Sequence, residues 1–465
     1  MTPSAVRCGV FTERRHGMSK AVTQNSCSYC TPLGASLAFK GIENAITMLH
    51  GSQGCATYMR RFLISHFREP IDIASSSFTE ETAIFGGGAN LHVGLDNLIS
   101  QYNPELIAVA STCLSETIGD DLGLHIRDYK KAKTGESIPY IVPVSTPSYK
   151  GSHIEGFYLA VMALIQYFAE GRSKPDGAVN VFPGMVSCED LRYLKEALFA
   201  FGMPAIMVPD YSETLEGGNW EEHHPIPPGG TPVELLKKTG QSRASIEFGQ
   251  VIGTDQSAAQ YLAEHHGVTA ARIPLPIGIR KTDIFFQTLE EISGVSIPLC
   301  LRNNRGRLVD ALGDAHKYLY GKRAVVYGED DFVLSVSSFL LETGLHLSVC
   351  GGSGKGEGFK EKMTALVTES GTEMPIIYEG SDFKEIEIAA MQKGADIFVG
   401  NSKGYKMSRS FDIPLVRIGF PIHDRIGGPR ILHLGYKGAL NLLDLITNEL
   451  IRTQQSISSV GYSYI

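Results

Sequence analysis

The chain has 465 residues, 43% of them hydrophobic and 20% charged, with a net charge of −8. That length exceeds one hydrophobic core and predicts about two to four globular domains of ordinary composition. The acidic balance gives no reason to expect nucleic acid, which requires clustered Lys and Arg, and no run of about 18 uncharged apolar residues exists to span a membrane.

Residues 1–26 contain Arg14, Arg15 and His16 but no long apolar core, so they read as an N-terminal extension and not as a secretory signal. The expected location is the cytoplasm, where cysteines stay reduced. Beyond that extension, short β-rich runs alternate with helical periodicity. Strands are expected at Leu106–Ala110 and Tyr140–Val144, then a helix over Gly156–Glu170 and a polar link at Gly171–Gly177. A second unit opens on Val179–Phe182, with a helix at Glu189–Phe201, a strand at Ala205–Val208 and a Pro/Gly-rich loop at Glu216–Thr231. A third begins near Gly321 with the strand Ala324–Tyr327, the turn Gly328–Asp330 and the helix Asp331–Glu342. Strands at Leu345–Val349, Ile376–Tyr378, Ile397–Val399 and Leu415–Ile418 complete it. Nearly continuous apolar strands separated by helices indicate parallel sheets covered on both faces. The expected fold is therefore α/β, with three doubly wound, Rossmann-like domains at 27–177, 178–320 and 321–465, the last ending in a helix.

Eight cysteines are present, and Cys27, Cys30, Cys55 and Cys113 fall in the first unit. Cys30 precedes the turn Thr31-Pro32-Leu33-Gly34, and Cys55 ends His50-Gly51-Ser52-Gln53-Gly54. Cys113 follows the strand Leu106–Ala110, at the carboxyl end where doubly wound sheets bind ligands. Glycine-rich loops expose N–H groups and let a bulky inorganic cluster approach, and thiolates suit soft iron–sulfur or zinc centres. The bland reading is that each is a small core hydrophobe. Cys27-x-x-Cys30 has the spacing of half a zinc knuckle, yet no second pair completes it. Intervals of 24 and then 57 residues fit a cluster gathered from loops of one sheet. Three thiolates fall short of the usual four, so a partner chain is expected to supply the rest.

These residues carry a resemblance. His50–Cys55, His66-Phe67-Arg68-Glu69-Pro70, Ile84-Phe85-Gly86-Gly87, Ser111–Asp121 and Thr146–His153 are similar to the β-type subunit of nitrogenase component 1 and its relatives. Leu275–Gly278, Gly328–Leu334, Gly400–Ser402 and Arg417–Pro421 extend the resemblance over roughly residues 27–450. It implies the component 1 fold of three αβ domains and pairing with an α-type subunit in an α2β2 heterotetramer. It also implies a P-cluster-type [8Fe-7S] cluster, or a [4Fe-4S] one, shared with that subunit and fed by an ATP-hydrolysing iron protein. Cys30, Cys55 and Cys113 match the β-side thiolate ligands. Ser148 matches the serine that joins the oxidised cluster, against its reading as a turn residue after Pro147. Tyr58 matches a cluster-adjacent aromatic, or is a half-buried ring. Phe85 matches an apolar anchor on the face where the iron protein docks, exposed in a Gly-rich loop. Glu69, Asp310 and Asp314 match carboxylates holding a divalent cation at a β–β contact, against a solvated acidic face. Cys8, Cys27, Cys188, Cys300 and Cys350 match nothing, and the last three are read as structural, in or near strands or turns. The catalytic cofactor is expected in the α-type subunit.

Two departures bear on function. The long N-terminal extension of the molybdenum enzyme's β subunit has no counterpart, and the text around Cys30 and Cys113 is similar to the scaffold branch that matures the iron–molybdenum cofactor. The complete thiolate set with Ser148 favours a nitrogenase-like reductase; the scaffold is the alternative. An ordinary nucleotide-binding enzyme fits poorly. Gly351–Gly356 lacks P-loop spacing, so ATP is expected on the iron protein.

Overall fold

The computed structural model describes residues 24–171, 177–219, 221–222, 224–354 and 358–460. Most of the expected extension 1–26, Cys8, most of the link after Gly171, and Lys355 and Gly356 of the glycine run lie outside the described residues.

Three parallel sheets organise the chain. The first has the order β2-β1-β3-β4, from β1 (Ala45–His50), β2 (Ile73–Ser75), β3 (Leu106–Ser111) and β4 (Tyr140–Val144). The second, β6-β5-β7-β8, uses β5 (Val179–Phe182), β6 (Ala205–Met207), β7 (Ala244–Phe248) and β8 (Thr269–Ile273). The third, β11-β10-β9-β12-β13, uses β9 (Arg323–Gly328), β10 (His346–Gly352), β11 (Ile376–Tyr378), β12 (Ile397–Gly400) and β13 (Leu415–Arg417). The expected strands are all present, whereas β1, β2, β7 and β8 were not among them. β1 reads Ala-Ile-Thr-Met-Leu-His, equally good helix text, and β8 is mostly half-exposed.

In each sheet the winding direction reverses once, between β1 and β3, β5 and β7, and β9 and β12. Such switch points leave a crevice at the carboxyl ends of the two strands. In the first sheet Ala45 stands opposite Leu106 and His50 opposite Ser111, so β1 and β3 end level. Both strands are fully buried, as strands covered on two faces must be.

Two packing features fix the entry to that crevice. Helix α1 (Thr31–Lys40) is buried along its whole length against the helix His153–Phe168. They cross backbone to backbone: a Cβ on Gly34 would lie 1.6 Å from the His153 carbonyl oxygen, and one on Gly156 would lie 1.9 Å from that of Thr31. Before α1, residues 24–29 form a strap on the third sheet. The amides of Gln24 and Asn25 donate to Asp382 Oδ2 at 2.8 Å, and Cys27 N–H donates to the Ser381 carbonyl at 2.9 Å.

Candidate metal centre

Each of the three singled-out thiols begins a helix. Cys30 is the N-cap of α1, where Pro32 costs no helical hydrogen bond. Cys55 lies in the first turn of α2 (Gln53–Phe67), and its N–H donates to Ser52 O at 3.2 Å. Cys113 opens the short helix α3 (Cys113–Thr117), capped by reciprocal bonds between Thr112 and Ser115. Helix N-termini leave N–H groups without intrahelical partners, free to donate to sulfur ligands seated there. Cys30 and Cys55 are half-buried and Cys113 is exposed.

The loops that carry them interlock. Thr112 donates its N–H (3.2 Å) and its hydroxyl (3.1 Å) to the His50 carbonyl. A Cβ on Gly51 would lie 2.0 Å from Thr112 Oγ1, so only glycine lets the Cys55 loop pass that close to the Cys113 loop. Ser148 joins the other two: its N–H donates to Cys113 Sγ at 3.2 Å, and its Oγ accepts from Thr31 N–H, next to Cys30, at 3.1 Å. Below it, Ser111 Oγ accepts from Thr146 N–H (2.8 Å), and Ser111 and Ser145 both donate to Glu116 Oε1 at 2.5 Å. Ser148 therefore sits in a braced loop at the same edge as Cys30 and Cys113.

Among the described residues, no three His, Cys, Asp or Glu side chains converge closely enough to hold one metal ion. The three thiols and Ser148 instead stand as separate donors around one edge of the first sheet. Cys27 is not part of it. It is buried with Val325 and Tyr327 of the third sheet, and burial pushes its thiol up to about 12. It anchors the strap.

The remaining expected residues are dispersed. Tyr58 is 43% exposed one turn after Cys55, edge-on to Phe62 at 4.6 Å; burial, then the nearby Cys30 charge, raises its hydroxyl. Phe85 is 81% exposed, but it ends the helix Glu80–Phe85 and does not lie in the Gly-rich loop expected for it, which starts at Gly86. Asp310 and Asp314 are exposed on the helix Leu299–Leu319. Glu69 is half-buried, its carboxyl raised by burial and by Glu216. The three do not form a site within one chain. Cys350 is buried in β10, while Cys188 is a buried first residue of the helix Cys188–Ala200. Cys300 corrects the expectation for it: it is exposed on the helix Leu299–Leu319, so packing does not explain it.

The sequence reading missed the polar group beneath the loops. Asp120 accepts from His50 Nε2 at 2.8 Å, His125 Nε2 at 2.6 Å and Gly87 N–H at 2.9 Å. Burial raises its carboxyl, but those bonds outweigh it and hold Asp120 below the usual range. Burial lowers His50, against the raising effect of Asp120. Only the separation of 70 residues between His50 and Asp120 hid the pair, since both lie in motifs already noted.

The sequence profile described as "Nitrogenase component 1 type Oxidoreductase" matches residues 30–451. The chain is 37% identical over 432 residues to the "Nitrogenase molybdenum-iron protein beta chain" of Clostridium pasteurianum, covering 93% of this chain and 94% of that one. It is 33% identical to the protein so named in Methanococcus maripaludis, over 91% of this chain and 93% of its relative. A solved structure titled "Nitrogenase Cp1 at pH 6.5" superposes with a TM-score of 0.93 at 35% identity, covering 97% and 98% of the two chains. Among the described residues no helix is long and apolar enough to cross a membrane. Sequence, fold and relatives agree: the chain belongs to the nitrogenase component 1 type oxidoreductase family, on its β-type branch.

Proposed function

We propose that this chain is the β-type subunit of a cytoplasmic, nitrogenase-like reductase. It shares a P-cluster-type [8Fe-7S] cluster with an α-type subunit in an α2β2 assembly. Cys30, Cys55 and Cys113 hold the β side of that cluster. Bound there, such a cluster would supply one-electron transfer between an ATP-hydrolysing iron protein, for which Phe85 would be the docking anchor, and a reductive site in the α-type subunit. Tyr58 shields the cluster's edge. The carrying observation is the placement of Ser148, whose N–H donates to Cys113 Sγ while its oxygen is held beside Cys30 by Thr31. A hard oxygen poised there suits a cluster whose positive charge grows on oxidation. The three αβ units are taken as 27–177, 178–320 and 321–465.

Iron per αβ pair, with EPR of reduced and oxidised forms, tests this reading against a cofactor-maturation scaffold with a four-iron cluster. Ser148→Ala should leave iron content near normal, alter the oxidised spectrum and slow turnover with iron protein and ATP. A silent Ser148→Ala in a preparation holding eight irons per interface would reduce Ser148 to a turn residue. Four irons per interface would favour the scaffold.

Glu69, Asp310 and Asp314 would supply oxygen ligands to a divalent cation at the β–β contact. Asp310→Ala with Asp314→Ala should then release that cation and weaken the tetramer on a sizing column. An unchanged metal content and size would remove the site.

A further inference from the structure

We propose that Asp120 is a positioning residue that fixes the exposed Phe85 tip relative to the loops carrying Cys55 and Cys113. The proposal rests on the docking and cluster roles proposed for this chain. Its starting point is how the two ends of the tip are seated: before it Phe78 N–H donates to the Gly51 carbonyl at 2.9 Å, and after it the chain turns back to Asp120. The helix Glu80–Phe85 buries none of its residues, and Ile84 and Phe85 both stand in solvent, 76% and 81% exposed. The glycines directly after Phe85 are tightly seated. A Cβ on Gly87 would lie 2.2 Å from the Phe78 ring and 2.8 Å from Asp120 Oδ2, and one on Gly88 would lie 2.6 Å from His125 Nδ1. The tip is thus a free apolar end mounted on a base whose amide goes to Asp120.

Asp120 itself belongs to the Cys113 segment. It comes just after α3, and its own N–H donates to the Ser115 carbonyl at 3.0 Å. Its side chain is 5% exposed. Through His50 it reaches the Cys55 loop, because His50 is the last residue of β1 and Gly51 is the next. Ser76 Oγ accepts from Gly51 N–H at 2.9 Å and lies 3.1 Å from His50 Nδ1. With the Ser76 hydroxyl donating a hydrogen bond to Nδ1, the ring's own N–H is at Nε2 and points to Asp120. One buried carboxylate therefore receives N–H bonds from three elements, carrying Phe85, Cys55 and the start of the helix after Cys113. Buried charge-assisted bonds of this kind are strong and geometrically demanding.

Asp120→Asn keeps the shape but replaces an acceptor with a donor, so at least one of the three N–H groups faces another donor. The αβ complex carrying Asp120→Asn should retain wild-type iron and resting EPR. Its amide exchange at Gly86 and Gly87 should rise about tenfold, and electron transfer at saturating iron protein should slow about tenfold. Unchanged exchange would overturn the proposal, as would slowing matched by an equal loss of iron, which is the signature of mere structural support. Phe85→Ala separates the two levels. If it leaves iron-protein affinity unchanged, the docking reading fails, whereas the exchange result for Asp120→Asn still stands or falls alone.

Discussion

The first and third sheets have the same kind of switch point and use it in opposite ways. After β1 and β3 the chain offers thiols at helix starts, half-buried or exposed, on an edge open to solvent. After β9 it offers Glu329, half-buried, and then Asp330 and Asp331, both buried, at the start of the helix Asp330–Glu342. Asp331 Oδ1 accepts from the amides of Gln250 (2.6 Å) and Val251 (3.1 Å) beyond β7, and Asp330 Oδ1 accepts from Gly354 N–H (3.0 Å) beyond β10. Burial pushes Asp330 up to about 7 and raises its neighbours. That edge welds the second sheet to the third. Topology nominates an edge, and the donor set and its exposure decide whether the edge receives a guest or closes the molecule.

The comparison breaks first where the open edge is built. Gly34→Ala forces a methyl group into the His153 carbonyl and should cost more than about 4 kcal/mol, seen as insolubility or a collapsed thermal midpoint. Gly54→Ala, whose nearest neighbour would be Ser52 Oγ at 3.7 Å, should fold normally. Equal tolerance at both glycines would mean that the α1 crossing does not set the edge. Cys55→Ala should strip or destroy the cluster yet leave the circular dichroism spectrum unchanged; wild-type iron and EPR would remove Cys55 from the ligand set.

A smaller effect separates the edges by pH. His153 accepts from Tyr29 N–H, next to Cys30, at 3.2 Å, and burial depresses it from 6.5 to about 4. The unfolded chain takes that proton first, so stability falls as pH drops from 6.5 towards 4, by on the order of 3 kcal/mol. Asp330 runs the other way. Folded, it holds its proton up to about 7 against 3.8 unfolded, so its contribution is lost as pH rises through that window. Asp330→Asn should therefore gain more stability over wild type at pH 8 than at pH 5, by unfolding midpoints. The same gain at both would show that Asp330 does not titrate there.

Much of this was legible in order along the chain. Apolar runs such as Val179–Phe182 announce buried parallel strands because both faces are covered, and Cys55 and Cys113 stand in turn text that no core cysteine needs. What stayed hidden depends on distant pairs. β7 contains the buried Glu247, which looks unlike a strand core until Ser257 and Ala258 are seen to bond it. Cys27 looked like half of a metal knuckle because its partner surface lies some 350 residues later, at Ser381. The Asp120 hub was invisible for the same reason.

That strap imposes a schedule. Residues 24–29 gain their place only when Ser381, Asp382 and Phe383 exist to receive them, and Lys403 closes over the Tyr29 ring at 4.6 Å. Cys30 is the very next residue. The strap before Cys30 is thus closed by residues of the third sheet, so two segments some 350 residues apart must be in place together before it is seated.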